Sequence, residues 1–203
     1  SPADSYSPLP GRALIAAKVS ELVVMGGGYP SGRSWNFFGS DPRRAAHVIN
    51  TWDGRAVFLG NDVGKHVLTG GPLMARGPRG DPVGNAYRWY GYGTARPSWD
   101  PLAVWYAVYG LGEVFVMGNK GGWNFVEEDG RNRWVEGEEG RSGRQFFLRL
   151  AVGNETAAEL VDDAFLKGAW EVVGGGQGGK EAGKGDTETT GISACRACGH
   201  EEL

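Results

Sequence analysis

Cysteine is close to missing from this 203-residue chain. Its 2 cysteines, Cys195 and Cys198, stand near the carboxyl terminus, so a disulfide framework is excluded as the source of the fold. Long apolar runs are missing too, which excludes a membrane-spanning helix. No basic-then-apolar leader opens the chain. A chain that opens on Ser1 rather than Met is compatible with a processed or truncated upstream segment, and both cytoplasmic and secreted locations stay open. Excess charge is the third absence. With 21 Lys and Arg against 24 Asp and Glu the formal net charge is -3, which provides no general attraction to nucleic acid or to a membrane surface. What the chain does have is 40% hydrophobic residues, with 8 Trp, 7 Tyr and 8 Phe. That is the composition of a folded protein, and the length suffices for one domain with a real core.

The most informative stretch runs from Glu21 to Ile49. Leu22-Val23-Val24-Met25 is a short unbroken apolar run, read as a strand buried on both faces. Gly26-Gly27-Gly28 ends it, and a polar loop follows to Ser40. Asp41-Pro42 then starts a helix, with Asp as N-cap and Pro at the first helical position. Ala45, Val48, Ile49 and Trp52 fall on one helical face. After the turn at Asp53-Gly54, Ala56 to Leu59 reads as a second buried strand, so strand, helix and strand form a parallel crossover. In open α/β sheets the carboxyl edge of the strands is where ligands sit. Asn61 and Asp62 end the second strand at that edge, where a carboxylate is more often a structural cap than a catalyst.

Upstream, residues 1–11 read as loop and Arg12 to Val19 as a helix. Downstream, residues 69–84 suggest a short helix broken by loops. The aromatic cluster Tyr87 to Gly93, with Arg96 nearby, is read as packing under a loop in preference to a base-stacking surface, since the chain has no basic surplus. Trp99-Asp100-Pro101 starts a helix with Leu102, Trp105, Val108 and Tyr109 on one face and Gly110 as its stop. Residues 113–117, 123–126, 133–135 and 145–152 read as short strands. Asn154 caps a last helix whose apolar face is Ala157, Leu160, Val161, Ala164 and Phe165, closed by Lys167 and Gly168. The domain is expected to span 1–173. Residues 174–203 read as a Gly-rich, polar, low-complexity tail. Cys195, Cys198 and His200 in that tail supply too few ligands for a closed zinc site, and exposed thiols are expected.

Four features in this order carry a family resemblance: Met25-Gly26-Gly27, the Trp35-Asn36 pair ahead of Asp41-Pro42, Asp62-Val63 after the second strand, and Asp100-Pro101-Leu102-Ala103 at a helix start. Over roughly residues 12 to 170 the chain resembles the nucleoside N-ribohydrolases, the inosine-uridine preferring nucleoside hydrolases. The loop Ser34-Trp35-Asn36-Phe37 is most similar to that of uncharacterised fungal-type members. The resemblance implies a Rossmann-like α/β fold with an open, mostly parallel sheet, represented by its carboxyl-terminal half.

It also implies a chemistry: calcium-dependent hydrolysis of the N-glycosidic bond of a ribonucleoside, within purine metabolism. In the family a calcium ion held by acidic residues orients a water, and an aspartate deprotonates it. Carboxylates stabilise the oxocarbenium-like transition state. By resemblance Asp100 matches a metal-ligating aspartate, with a plain helix cap as the other reading. Asn36 matches an asparagine that hydrogen-bonds ribose hydroxyls, or else makes its own turn. Trp99 stands where many members have a histidine. An indole cannot act as a general acid, so it points to stacking on a purine, or to packing at a helix start.

Three departures set the expectation for activity. Ser34 stands where the family has a glutamate, Gly32-Arg33 replaces Gly-Asn, and the amino-terminal Asp-rich motif that supplies the base and most metal ligands does not occur in the sequence. A lone Asp100 cannot hold calcium, which takes six to eight oxygens. The chain is therefore expected to retain no calcium and to be inactive alone. The alternative is a non-catalytic module that binds a nucleoside, or that assembles as a homo-oligomer through the open edge of strand 22–25.

Overall fold

The computed structural model describes residues 1–137 and 143–175, with side chains through Val172. The apolar segments become strands and the Pro-initiated segments become helices. In chain order the elements are α1 (Gly11–Lys18), β1 (Glu21–Met25), β2 (Ser31–Arg33), α2 (Trp35–Phe38), α3 (Pro42–Thr51), β3 (Arg55–Leu59) and α4 (Asn61–Gly64). They continue with β4 (Leu68–Thr69), α5 (Gly71–Arg76), α6 (Pro82–Tyr90), β5 (Arg96–Pro97) and α7 (Trp99–Tyr109). The last are β6 (Phe115–Met117), β7 (Trp123–Val126), β8 (Arg131–Val135), β9 (Gln145–Leu150) and α8 (Asn154–Gly175).

The principal sheet has the order β1-β3-β9-β6. β3 runs parallel to β1 and to β9, and β6 closes the far side antiparallel to β9. The mixed α/β fold with a partly parallel sheet thus agrees with the expected class. β3 explains why the sheet has two covered faces. Ala56 and Phe58 belong to one core cluster, Val57 and Leu59 to the other, and all four are buried. One cluster lies against α7 and α8 through Leu102, Tyr106, Ala157 and Val161. The other lies against α3 and the hairpin through Ala46, Ile49 and Val126. β1 lies at the margin of the sheet, and its register fixes Glu21 opposite Arg55, where the two side chains form an ion pair.

The second sheet, in the order β2-β8-β7, is antiparallel throughout and joins the loop after β1 to a hairpin some hundred residues away in sequence. Its turn needs Gly130, at φ 82°, where an added Cβ would press on the backbone of Phe37 and Phe38. Strands were expected for this hairpin, but a separate sheet reaching back over the first loop was not.

Three expectations are corrected. On α3 the buried residues are Ala46 and Ile49, while Val48 is 48% exposed. On α7 the buried face is Leu102 and Tyr106, not the one holding Val108 and Tyr109, which are 66% and 61% exposed. That helix, WDPLAVWYAVY, is apolar on every side, so periodicity does not select a face. Finally, α8 does not stop at Gly168 but continues to Gly175. Gly168 has open space around it, and a helix tolerates a glycine at a cost of about 1 kcal/mol. Residues 176–203, including Cys195, Cys198 and His200, lie outside the described residues.

Leu102 is fully buried between α7 and the sheet. Leu102→Ala should destabilise the chain by about 2–5 kcal/mol, measured by urea unfolding with an unchanged m-value.

Candidate functional site

β1 and β3 end side by side, and the chain leaves both through tight turns. Gly26 N donates to Leu59 O at 2.9 Å, extending the ladder by one rung, and Asn61 N donates to Gly27 O at 2.9 Å. Gly27 sits at φ 81°, which a side chain would strain, and a Cβ there would also meet Asn132 and Tyr29 at 2.9 Å. Gly28 and Gly32 approach so closely that a Cβ on Gly32 would lie 2.9 Å from Gly28 Cα.

Side chains satisfy the peptide groups that this turn takes out of the ladder. The buried hydroxyl of Ser34 accepts from Gly27 N at 2.7 Å. Asn132, on β8, accepts from Gly28 N at 3.0 Å through Oδ1 and donates to Gly28 O at 2.9 Å through Nδ2. Asn132 also donates to Asn124 Oδ1 at 3.1 Å, and Asn124 donates to the Tyr29 hydroxyl at 3.1 Å. That hydroxyl donates to Gly26 O at 3.2 Å, closing the network. Tyr29 stacks on Phe147 at 5.0 Å. Burial, with a smaller contribution from the Asp62 carboxylate, pushes its phenol well above the usual range.

The three candidate residues fall around this edge in different ways. Asn36, exposed on α2, donates from Nδ2 to Met25 O at 2.9 Å at the very end of β1, leaving Oδ1 as the atom to accept from a ligand. Trp99 opens α7, and its Nε1 donates to Asn61 O at 2.9 Å; Asn61 in turn bonds Gly27. Gly64 lets the two elements close up, since a Cβ there would come within 2.7 Å of the Trp99 backbone. Asn36 and Trp99 are thus tied to the ends of adjacent parallel strands. Asp100 is not on that network. It lines an apolar groove with Val83, Pro101, Val104 and Trp105, which includes neither Asn36 nor Trp99.

Two of the three Asp-Pro pairs, Asp41-Pro42 and Asp100-Pro101, are alike in sequence and separate here. Asp41 precedes α3 and accepts from Arg44 N at 3.1 Å, as an N-cap does. Asp100 lies inside the first turn of α7 and makes no capping hydrogen bond, the N-cap position being Ser98. Asp62 makes no capping bond either, since Gly60 holds that position in α4. It is an exposed carboxylate close to Tyr29.

Reading residues in sequence missed Ser34 as an anchor, and it missed Asn124 and Asn132 entirely. For Asn124 the available signal was an amide inside the expected 123–126 strand, because strands seldom hold amides without a partner; Asn132 fell outside the expected 133–135 strand. Among the described residues no group of three or more His, Cys, Asp or Glu side chains could hold a metal ion.

The fold and edge define an α/β domain with a candidate ligand site at the ends of parallel strands. Neither a protein-family model nor a curated protein matches the chain. Among solved structures it is similar to a plant nucleoside hydrolase, with 18% sequence identity and a TM-score of 0.49 over 76% of this chain. The match covers 57% of that enzyme's chain, so this chain spans little more than half of its length.

Asn132→Ala should cost about 3 kcal/mol of stability, because it leaves the part-buried N–H and C=O of Gly28 and the buried Asn124 oxygen without their partner. The Tyr29 phenol predicts an alkaline loss. An unfolded tyrosine releases its proton near pH ~10, whereas folded Tyr29 holds on to higher pH. The neutral form therefore stabilises the fold fully below that pH, and the contribution drains away as pH rises beyond it. Tyr87 and Tyr106, also raised by burial, add to the decline. Tyr29→Phe should lower stability at neutral pH by about 1–2 kcal/mol yet flatten the alkaline limb, read from unfolding curves at rising pH.

Proposed function

We propose that this chain is a nucleoside hydrolase-like domain that binds a purine ribonucleoside at the ends of β1 and β3 and does not cleave it on its own. The observation that supports the reading is the hydrogen-bonded path from Asn36 through Met25 to the β1 end, and from Trp99 through Asn61 to Gly27. In this reading the Asn36 oxygen accepts from a ribose hydroxyl and the Trp99 indole stacks on the base. Both groups are neutral, as suits a neutral ligand. The kinship to fungal-type members rests on the Ser34-Trp35-Asn36-Phe37 loop alone.

Calcium, which the resemblance implies, does not find its donor set around Asp100. Asp100 borders an apolar groove with no second carboxylate lining it, and calcium takes about six to eight oxygens. The residues present do not fit the ion, and no hydrolytic step is derived through it. Asp62 stands near the strand ends, but a single exposed carboxylate supplies neither a metal cradle nor an activated water.

A second reading, assembly, draws on β1 itself. Its Leu22 to Met25 run lies at the sheet margin with no charge, proline or bulge to discourage pairing.

Inosine and guanosine titrated against tryptophan fluorescence, with ribose release assayed in parallel in added calcium, test the main reading. Saturable binding without release is expected, weakened about tenfold in Asn36→Ala, the loss of one to two hydrogen bonds. Ribose release by the 203-residue chain would sink the claim of inactivity. Absence of binding, with a concentration-dependent dimer lost in Val23→Lys, would favour assembly.

A further inference from the structure

The chain is acidic overall, yet one segment is not. From Val63 to Trp99 it carries Lys65, Arg76, Arg79, Arg88 and Arg96 against the single carboxylate of Asp81. Asp81 is buried and spends its carboxylate on Gly84 N at the start of α6. Among the described residues none of the five cations forms an ion pair, since every pair involves cations elsewhere. The whole-chain charge conceals this local excess.

The same segment exposes aromatic rings. Tyr87 is half-buried and its hydroxyl lies 2.9 Å from Thr69 Oγ1. Trp89, Tyr90 and Tyr92, however, are 81%, 74% and 90% exposed. The expectation that this cluster packs under a loop is therefore corrected for these three. A folded chain gains little by showing an indole to water, so an exposed tryptophan beside unpaired cations is informative.

Between α5 and α6 these features share a cleft of about 600 Å³ lined by Met74, Ala75, Gly77, Arg79, Asn85, Arg88 and Trp89. Its lining has two guanidinium groups, one amide and one indole, and no carboxylate. The geometry is set in advance. Asn85 Oδ1 accepts from Arg88 Nη1 at 2.9 Å, and Asn85 Nδ2 donates to Arg79 O at 3.1 Å. Arg88 Nη2 donates to Met74 O at 2.9 Å. Two of the five N–H donors of Arg88 thus fix its plane while others remain to take an anion. Fixing the guanidinium beforehand removes an ordering cost that binding would otherwise bear.

We propose that the α5–α6 cleft binds a small aromatic molecule bearing a phosphate group, with Arg79 and Arg88 on the phosphate and Trp89 stacked on the ring. Size decides for a small ligand: the cleft falls in the range of about 300–1,000 Å³ typical of small-molecule sites. Charge decides for an anion, and the planar fork of arginine matches phosphate. The proposal does not rest on the nucleoside reading, because the cleft shares no residue with the strand-end site.

The test uses the full chain and guanosine 5′-monophosphate as the probe, with guanosine and inorganic phosphate as its two halves, by isothermal titration calorimetry. The mononucleotide should bind at least about tenfold tighter than either half and more weakly in high salt. Arg79→Ala and Trp89→Ala, both on the surface and checked for folding by circular dichroism, should each weaken it about tenfold. Trp89→Phe should recover part of the loss. Guanosine alone, if it binds at the strand ends, should be indifferent to Trp89→Ala, which separates this site from the other. The proposal is overturned if the mononucleotide fails to bind, if it binds no better than phosphate, or if the Trp89 and Arg79 variants leave it unchanged. It is equally overturned if a single-stranded oligonucleotide binds more than about tenfold tighter, which would make the face a nucleic-acid surface.

Discussion

The turn after β1 depends on borrowed hydrogen-bond partners. When a parallel strand ends in three glycines, its peptide groups leave the ladder and must be satisfied elsewhere. Ser34 serves Gly27, and Asn132 serves both peptide groups of Gly28. Because Asn132 comes from β8, the hairpin is bound to the strand end by side-chain hydrogen bonds as well as by strand pairing. The aromatic packing of Tyr29, Phe147 and Trp134 then keeps water out, which raises the worth of each bond and the penalty for losing one. The edge that carries Asn36 and Trp99 is tied through these contacts to the hairpin and to the sheet beneath it.

Legibility in the sequence follows the reach of each interaction. The strands at 22–25 and 56–59 and the helix after Asp41-Pro42 were readable because local chemistry sets them, namely apolar runs, glycine exits and a capping aspartate. The α7 face was not, since Leu102 and Val108 are equally apolar and only the position of the sheet distinguishes them. Asn132 was unreadable for a related reason. Its partner Gly28 lies 104 residues away, and nothing local marks a polar residue that will be buried against a distant turn. Within the site, Asn36 and Trp99 were identified by motif, and their shared attachment to the strand ends emerged only in three dimensions. Asp41 and Asp100 illustrate the limit well: identical dipeptides, one a cap and one a residue inside the first turn.

Charge was legible as a sum and misleading as one. A net of -3 argues against long-range attraction of polyanions, but binding is decided within about 10 Å, the range over which salt leaves a field intact. The α5–α6 segment itself is cationic, with its one acidic residue, Asp81, turned inward as a helix cap, and Asp162 of α8 bonded to Gly70 N at the start of α5. The two candidate sites differ accordingly. The strand ends present the neutral Asn36 and Trp99 with the Asp62 carboxylate nearby, whereas the cleft presents two guanidinium groups, that of Arg88 held by hydrogen bonds, beside an indole.

Binding and cleavage make separable demands, and that distinction governs what this chain can be. Recognising a neutral nucleoside takes a few aligned polar groups and a ring to stack on, the parts that the proposed reading gives to Asn36 and Trp99. Breaking the N-glycosidic bond requires stabilising a positive charge that develops on the sugar and activating a water against it. Each of those tasks takes carboxylates brought close together, and the repulsion between them must be held down by a cation or by burial. Here Asp62 stands alone near Tyr29, and Asp100 faces Val83, Val104 and Trp105. In the proposed reading, uncharged groups at the strand ends hold a nucleoside, and Asp62 and Asp100, which lie apart, leave it uncut.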